Sequence, residues 1–148
     1  MTGLVFVDTN VVIYTRDQGE PEKARKATEW IKALRANDDL VVSPQVINEA
    51  FAVSLWKFKE IGRDVIRDWI RHFLPFCTAP LDANVVSLAL DLEETYSLQW
   101  WDSVLVASAI SGNCRYLLTE DMQHRQIVRT VRIIDPFRTD LSDVISIS

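Results

Sequence analysis

The chain has 148 residues, 48% of them hydrophobic, which is enough to bury the core of one domain without disulfide or metal staples. Its formal net charge of -5 argues against a broad, non-specific grip on nucleic acid, because phosphate binding is driven by lysine and arginine; a local basic face beside an acidic site stays compatible with it. No apolar run is long enough to span a bilayer and the N-terminus lacks the pattern of a signal peptide, so a soluble, cytoplasmic protein is expected.

The first predicted element is a strand, Leu4-Val5-Phe6-Val7, an uninterrupted apolar run of the kind buried on both faces of a parallel sheet. Asp8 stands at its carboxyl end, where open α/β sheets form their binding crevice, and it reads either as a cation ligand or as the cap of a short helix through Tyr14. A polar loop around Gly19 leads to Pro21, suited to the first position of a helix, and Ala24, Ala27, Ile31 and Leu34 mark the buried side of that helix to about Asn37. Leu40-Val41-Val42 is a second short strand. Ser43 and Pro44 then start an unusually apolar helix to about Lys59, from whose greasy flank Glu49 projects.

Gly62 separates this helix from the next, Arg63 to about Phe73. Lys59, Arg63, Arg67 and Arg71 make one basic stripe if the helical phase carries across Gly62, but Asp64 and Asp68 at three-residue spacing favour a solvated, ion-paired face. Pro75 ends the helix, Phe76 to Ala79 read as a weak third strand, and Asp82 as the cap of another amphipathic helix. Trp100-Trp101-Asp102-Ser103 lead into a buried helix from Val104 to Ile110. Asp102 suits the positive end of that helix whatever its function, and the tryptophans could stack on bases or pack at the rim.

Tyr116 to Thr119 is the fourth strand, with Glu120 and Asp121 at its end as Asp8 is at the first; Val131 to Ile134 is the last strand. Residues 1–137 are read as one domain and 138–148 as a tail, partly disordered. His124 is expected to be an idle loop residue, and Cys77 and Cys114, without metal-ligand spacing, to be reduced thiols.

Each acid alone has a structural excuse, but in a doubly wound sheet Asp8, Glu49, Asp102 and Asp121 all fall on one edge and can converge on one pocket. Such a cluster is costly until a divalent cation joins it. Magnesium or manganese, with carboxylates ordering the metal-bound water, is the equipment of phosphodiester hydrolysis.

The segments VDTNVVIY, SPQVINEA, WWDSVLVASAI and LLTEDMQH, in this order, resemble the PIN-domain nucleases, specifically the VapC-type ribonuclease toxins. The resemblance runs from Leu4 to Phe137 and implies a three-layer α/β/α fold on a five-stranded parallel sheet ordered 3-2-1-4-5. It implies a Mg2+- or Mn2+-dependent endoribonuclease leaving 5′-phosphate and 3′-hydroxyl ends, with Asp8, Glu49, Asp102 and Asp121 as catalytic acids. Asp8, Asp102 and Asp121 would be metal ligands, Asp121 being preferred over Glu120, and Thr9, Asn10 and Thr119 would support them by hydrogen bonds. It also implies a homodimer and a VapB-like antitoxin whose tail blocks the acidic pocket. Arg125 after the histidine and Asp135 before Pro-Phe depart from the usual pattern and bear on loop geometry. The rivals are an aspartyl-phosphate phosphotransferase, which needs a second acid where this chain has Asn10, and a PIN-like module that binds RNA or protein without cutting.

Overall fold

The computed structural model describes residues 3–145. Its strands are β1 (Leu4–Val7), β2 (Leu40–Val41), β3 (Cys114–Leu118), β4 (Ile127–Val128) and β5 (Val131–Ile134), in the spatial order β2-β1-β3-β5-β4. The first four of that order run parallel, and β4 folds back antiparallel on β5. The helices α1 (Thr9–Tyr14), α2 (Pro21–Ala36), α3 (Pro44–Lys57), α4 (Arg63–Arg71), α5 (Ala83–Tyr96) and α6 (Trp100–Ser111) flank this sheet. The expected α/β class with helices on a central five-stranded sheet is therefore observed.

Val5, Phe6, Val7, Leu117, Leu118 and Ile133 are wholly buried, which is why these strands lack polar alternation. Local signals set the helix starts. Ser43 Oγ accepts from the Val46 N–H at 3.5 Å ahead of Pro44, and Asp82 Oδ1 accepts from the Val85 N–H at 3.0 Å.

Two strand expectations need correction. Phe76 to Ala79 form no strand: Leu74–Phe76 is a 3-10 turn, and only a parallel bridge between Val42 and Cys77 remains beside β2. The prolines at 75 and 80 bound this short stretch and cannot donate to a ladder, so pairing cannot extend past either end. The fifth strand is instead β4, so the sheet is mostly rather than wholly parallel.

Gly62 adopts φ +94°, which breaks the helical phase, and Lys59 lies outside both helices, so no continuous basic stripe forms. Arg67 and Arg71 pair with Asp64 at 2.7 Å and Asp68 at 3.1 Å, as a solvated face does. Beyond Phe137 the chain continues into a 3-10 turn at Leu141–Asp143, and Val144 and Ile145 are buried against the core. The rest of the expected disordered tail, 146–148, lies outside the described residues. Cys77 and Cys114 are free thiols, and burial pushes that of Cys114 up to about 12. No helix among the described residues is long and apolar enough to cross a membrane.

Candidate active site

Asp8 sits where the β1–β3 ladder ends. Its N–H donates to the Leu118 carbonyl at 3.0 Å, and its extended backbone makes it the N-cap of α1. The cap reading is thus observed, and the two carboxylate oxygens are used differently. Oδ1 accepts from the Thr9 N–H at 2.6 Å, while Oδ2 accepts from the Thr119 hydroxyl at 2.8 Å and from Asn10 Nδ2 at 3.4 Å. Only 9% exposed, the carboxyl is pushed by desolvation to about 7. The Thr119 and Thr9 hydrogen bonds oppose that rise, and the charges of Asp121 and Glu49 add to it.

Glu49 projects from α3 and is held from two sides. Oε2 accepts from the Thr9 hydroxyl at 3.1 Å, and Oε1 accepts from Gln45 Nε2 at 3.3 Å, one helical turn earlier. Asp102 lies in the first turn of α6, yet the cap position belongs to Gln99, and the Asp102 carboxylate enters none of the hydrogen bonds among the described residues. Burial first, then the charges of Asp121 and Glu49, raise its pKa from the ordinary aspartate value. Asp121 follows β3; Oδ2 accepts from Asn10 Nδ2 at 2.8 Å and its N–H donates to Thr119 Oγ1 at 3.2 Å.

The structure thus brings Asp8, Glu49, Asp102 and Asp121 to the wall of one cavity of about 260 Å3, with Thr9 and Asn10 between them. Thr119, wholly buried, underlies it as the hydroxyl that joins Asp8, Asn10 and Asp121. Two carboxylates 4 Å apart repel by about 4 kcal/mol at an effective dielectric near 20, so this wall favours a cation.

The donor set is hard oxygen, the kind that magnesium and manganese take. Two further oxygens, Asn10 Oδ1 and Gln45 Oε1, are buried without a hydrogen-bond partner, and both residues line the cavity. No group of three or more Asp, Glu, His or Cys among the described residues is drawn together as a metal cage. An ion that keeps several waters and takes one or two carboxylates directly fits such a loose wall, and the residues present fit magnesium or manganese on that basis.

Several side chains differ from expectation or escaped it. Glu120 turns from the cavity and is bound by Lys23 at 2.9 Å and by the Tyr14 hydroxyl. His124 is not idle: its Nδ1 accepts from the Asp135 N–H at 3.0 Å, and desolvation, then Arg138 and Arg125, lower its pKa. Gln45 was missed, although its place four residues before Glu49 on α3 was the available signal. Trp101, 63% exposed, lines the cavity with Ile13 and Leu105 and so gives the acidic site one apolar side.

These features define an α/β protein whose candidate site is a carboxylate cluster at the carboxyl edge of its sheet. The profile of the PIN domain matches residues 5–129, and the chain belongs to the PIN domain family, a family of nuclease type. No curated protein matches it in sequence. Among solved structures it is similar to a toxin-antitoxin complex from Klebsiella pneumoniae, with a TM-score of 0.64 over 89% of this chain and 97% of that chain. At 18% identity that likeness is one of fold.

Proposed function

We propose that this protein is a metal-dependent endoribonuclease that hydrolyses RNA phosphodiesters, and that it is the toxin of a toxin-antitoxin pair. The observation that carries the reading is the single cavity walled by Asp8, Glu49, Asp102 and Asp121, with two orphaned amide oxygens beside them. Asp8, Asp102 and Asp121 would hold Mg2+ or Mn2+. When bound, the ion lowers the pKa of a coordinated water and neutralises charge on the phosphate.

The chain's own residues account for the rest of the arrangement. Thr9 and Gln45 hold both oxygens of Glu49, leaving that carboxylate oriented to accept a proton from an attacking water. Asn10 fixes Asp121, and Thr119 fixes Asp8, so the acids that follow β1 and β3 are set relative to one another before any ligand arrives. The partners proposed are RNA, a VapB-like antitoxin and a second copy of the chain, in the cytoplasm. Kinship of fold with a chain from a toxin-antitoxin complex supports the antitoxin.

The test is cleavage of a mixed structured RNA pool by purified, antitoxin-free protein with manganese, with EDTA, and with Asp102→Asn in place of wild type. Cutting that requires both metal and Asp102 is the expected result. Cutting that persists in EDTA or in the variant would sink the proposal.

A further inference from the structure

A cavity of about 480 Å3 adjoins the acidic one, and the two share Asp102 and Asp121 as a common wall. Its size falls in the range of about 300–1,000 Å3 typical of small-ligand sites. On one side lies the turn between α5 and α6, where Ser97 takes φ +55° and caps α5 through its N–H to the Glu93 carbonyl at 3.0 Å. That sharp turn presents Gln99 to the groove. On the other side lies the loop after β3, carrying Gln123 and Gln126 and tied to β5. The Arg125 N–H donates to the Ile133 carbonyl at 2.7 Å, and the Ile133 N–H donates to that of Gln126 at 2.9 Å.

The lining chemistry is unusual beside a carboxylate cluster. Apart from the two shared acids it bears no charged side chain, and the amides of Gln99, Gln123 and Gln126 enter none of the hydrogen bonds among the described residues. An amide offers an acceptor and two donors together, which matches the mixed edge of a nucleobase and pairs with adenine in bidentate fashion. Half-buried Met122, packed on the core, adds an apolar contact for the face of a ring. Arg125 and Arg129 are exposed and enter no ion pair among the described residues. The Arg129 N–H donates to the Tyr96 hydroxyl at 3.3 Å, which sets the β4–β5 turn at the end of the groove. Cationic side chains there can meet a flanking phosphate despite the net charge of the chain.

We infer that the groove between the α5–α6 turn and the loop after β3 is a base-reading subsite. It takes one unpaired nucleobase, adenine being the base an amide pairs best, next to the phosphate held at the acids. Single-stranded RNA exposes such an edge, whereas a duplex hides it. The inference rests on the ribonuclease reading and adds to it the residues that would choose the sequence.

The experiment sequences the ends produced by manganese-dependent cleavage of an RNA pool randomised around unpaired positions, for wild type, Gln123→Ala, Gln126→Ala and the double variant. Gln123 is exposed and Gln126 half-buried in the loop after β3, and circular dichroism checks that each variant is folded. Wild type is expected to favour adenine at one position adjacent to the cut. The double variant is expected to lose at least about fivefold of that preference, the lower end of what one bidentate contact discriminates. A preference that survives in the double variant, or a wild type that cuts with no base preference beside the cut, overturns the subsite and leaves the ribonuclease standing. A wild type that cuts no RNA overturns both.

Discussion

Thr119 donates its buried hydroxyl to Asp8 Oδ2 at 2.8 Å, joining the ends of the neighbouring strands β1 and β3 through one side-chain contact. The same oxygen accepts from the Asp121 N–H at 3.2 Å and from Asn10 Nδ2 at 3.3 Å. A hydroxyl can donate once and accept twice, so Thr119 has its full hydrogen-bonding capacity engaged. It is the group through which the buried acid and the exposed acid are held in one geometry.

Replacing it by the near-isosteric valine tests this. In Thr119→Val, Asp8 loses a hydrogen bond that favours its charged form, so its carboxyl rises above about 7. Fewer molecules then hold an ionised Asp8 at neutral pH. At subsaturating manganese, where protons compete with the metal for Asp8, the expected outcome is an acid limb of metal binding, and so of kcat/KM, displaced to higher pH, with activity partly recovered in alkaline buffer. Stability should fall by about 1–3 kcal/mol, because the Asp121 N–H is left without its acceptor. An unmoved pH profile would show that the hydroxyl is structural only.

Metal-free stability should depend on pH through Asp8. Its folded value of about 7 lies above its ordinary 3.8, so between those values the folded chain keeps a proton that the unfolded chain has lost. Stability therefore falls as pH rises through that window, by on the order of 4 kcal/mol at 1.36 kcal/mol per pKa unit, and levels off above it. His124 acts in the opposite sense: its lowered pKa costs stability as pH drops below its ordinary value of 6.5. Asp8→Asn keeps His124 and removes Asp8, so the difference between the two proteins isolates the carboxyl. In EDTA the variant should be as stable as wild type at pH 5 and more stable than it by about 3 kcal/mol at pH 8, by urea unfolding. Adding magnesium at pH 8 should stabilise wild type and leave the variant unmoved. A metal-free Asp8→Asn protein clearly weaker at pH 8 would mean that the helix cap outweighs the repulsion.

What could be read from the amino acids follows from where the physics is local. Strands β1 and β3 announce themselves because both faces are buried, and Ser43, Pro44 and Asp82 mark helix starts by chemistry confined to one turn. The acids were readable together because each follows or opens a regular element. The strand at Phe76 to Ala79 failed because composition does not reveal that a proline-flanked apolar run pairs through a single bridge. Strand β4 escaped because it has only two residues, Ile127 and Val128, and turns at Arg129, φ +53°, without the Asn-Gly signal of a tight hairpin. Gln45 and the glutamines of the groove carry no diagnostic spacing, so only tertiary packing reveals them. His124 likewise owes its role to a partner, Asp135, that only folding brings near.

Trp30 gives a stability prediction remote from the site. It is wholly buried, and its Nε1–H donates to the Pro136 carbonyl at 2.9 Å, fastening α2 to the segment after β5. Trp30→Phe removes the donor, strands a buried carbonyl and leaves a void. The unpaired carbonyl alone should cost about 1–3 kcal/mol, with the void adding to it. The midpoint in urea should drop with the slope unchanged, while the specific rate of RNA cleavage by the folded fraction stays at the wild-type value.

Glu120 supplies the last prediction, because it lies between Thr119 and Asp121 yet faces away from the cavity. Lys23 pairs with it at 2.9 Å, the Tyr14 hydroxyl donates to its other oxygen, and the Lys23 ammonium lies 5.0 Å from the Tyr14 ring centre and 5.4 Å from that of Phe137. The ion pair is partly exposed, so by itself it is worth no more than about 1 kcal/mol. Its position gives it a second consequence. Holding Glu120 from the outer side limits how far the adjoining Asp121 backbone can swing, and misplacing a positioned group by about 1 Å can cost up to roughly 10²-fold in rate. Lys23→Met keeps the alkyl stem on the rings while removing the charge. It is expected to shift Tm by only about 2–4 °C but to lower kcat several-fold with KM little changed, and Tyr14→Phe should act in the same direction. Arg25→Met is the control, since Arg25 pairs with Glu22 and Glu29 on the exposed face of the same helix and with none of the acids of the site or Glu120. If the Lys23 and Arg25 variants cleave equally well, the Glu120 clamp is a surface ion pair and the placement of Asp121 rests on Asn10 and Thr119 alone.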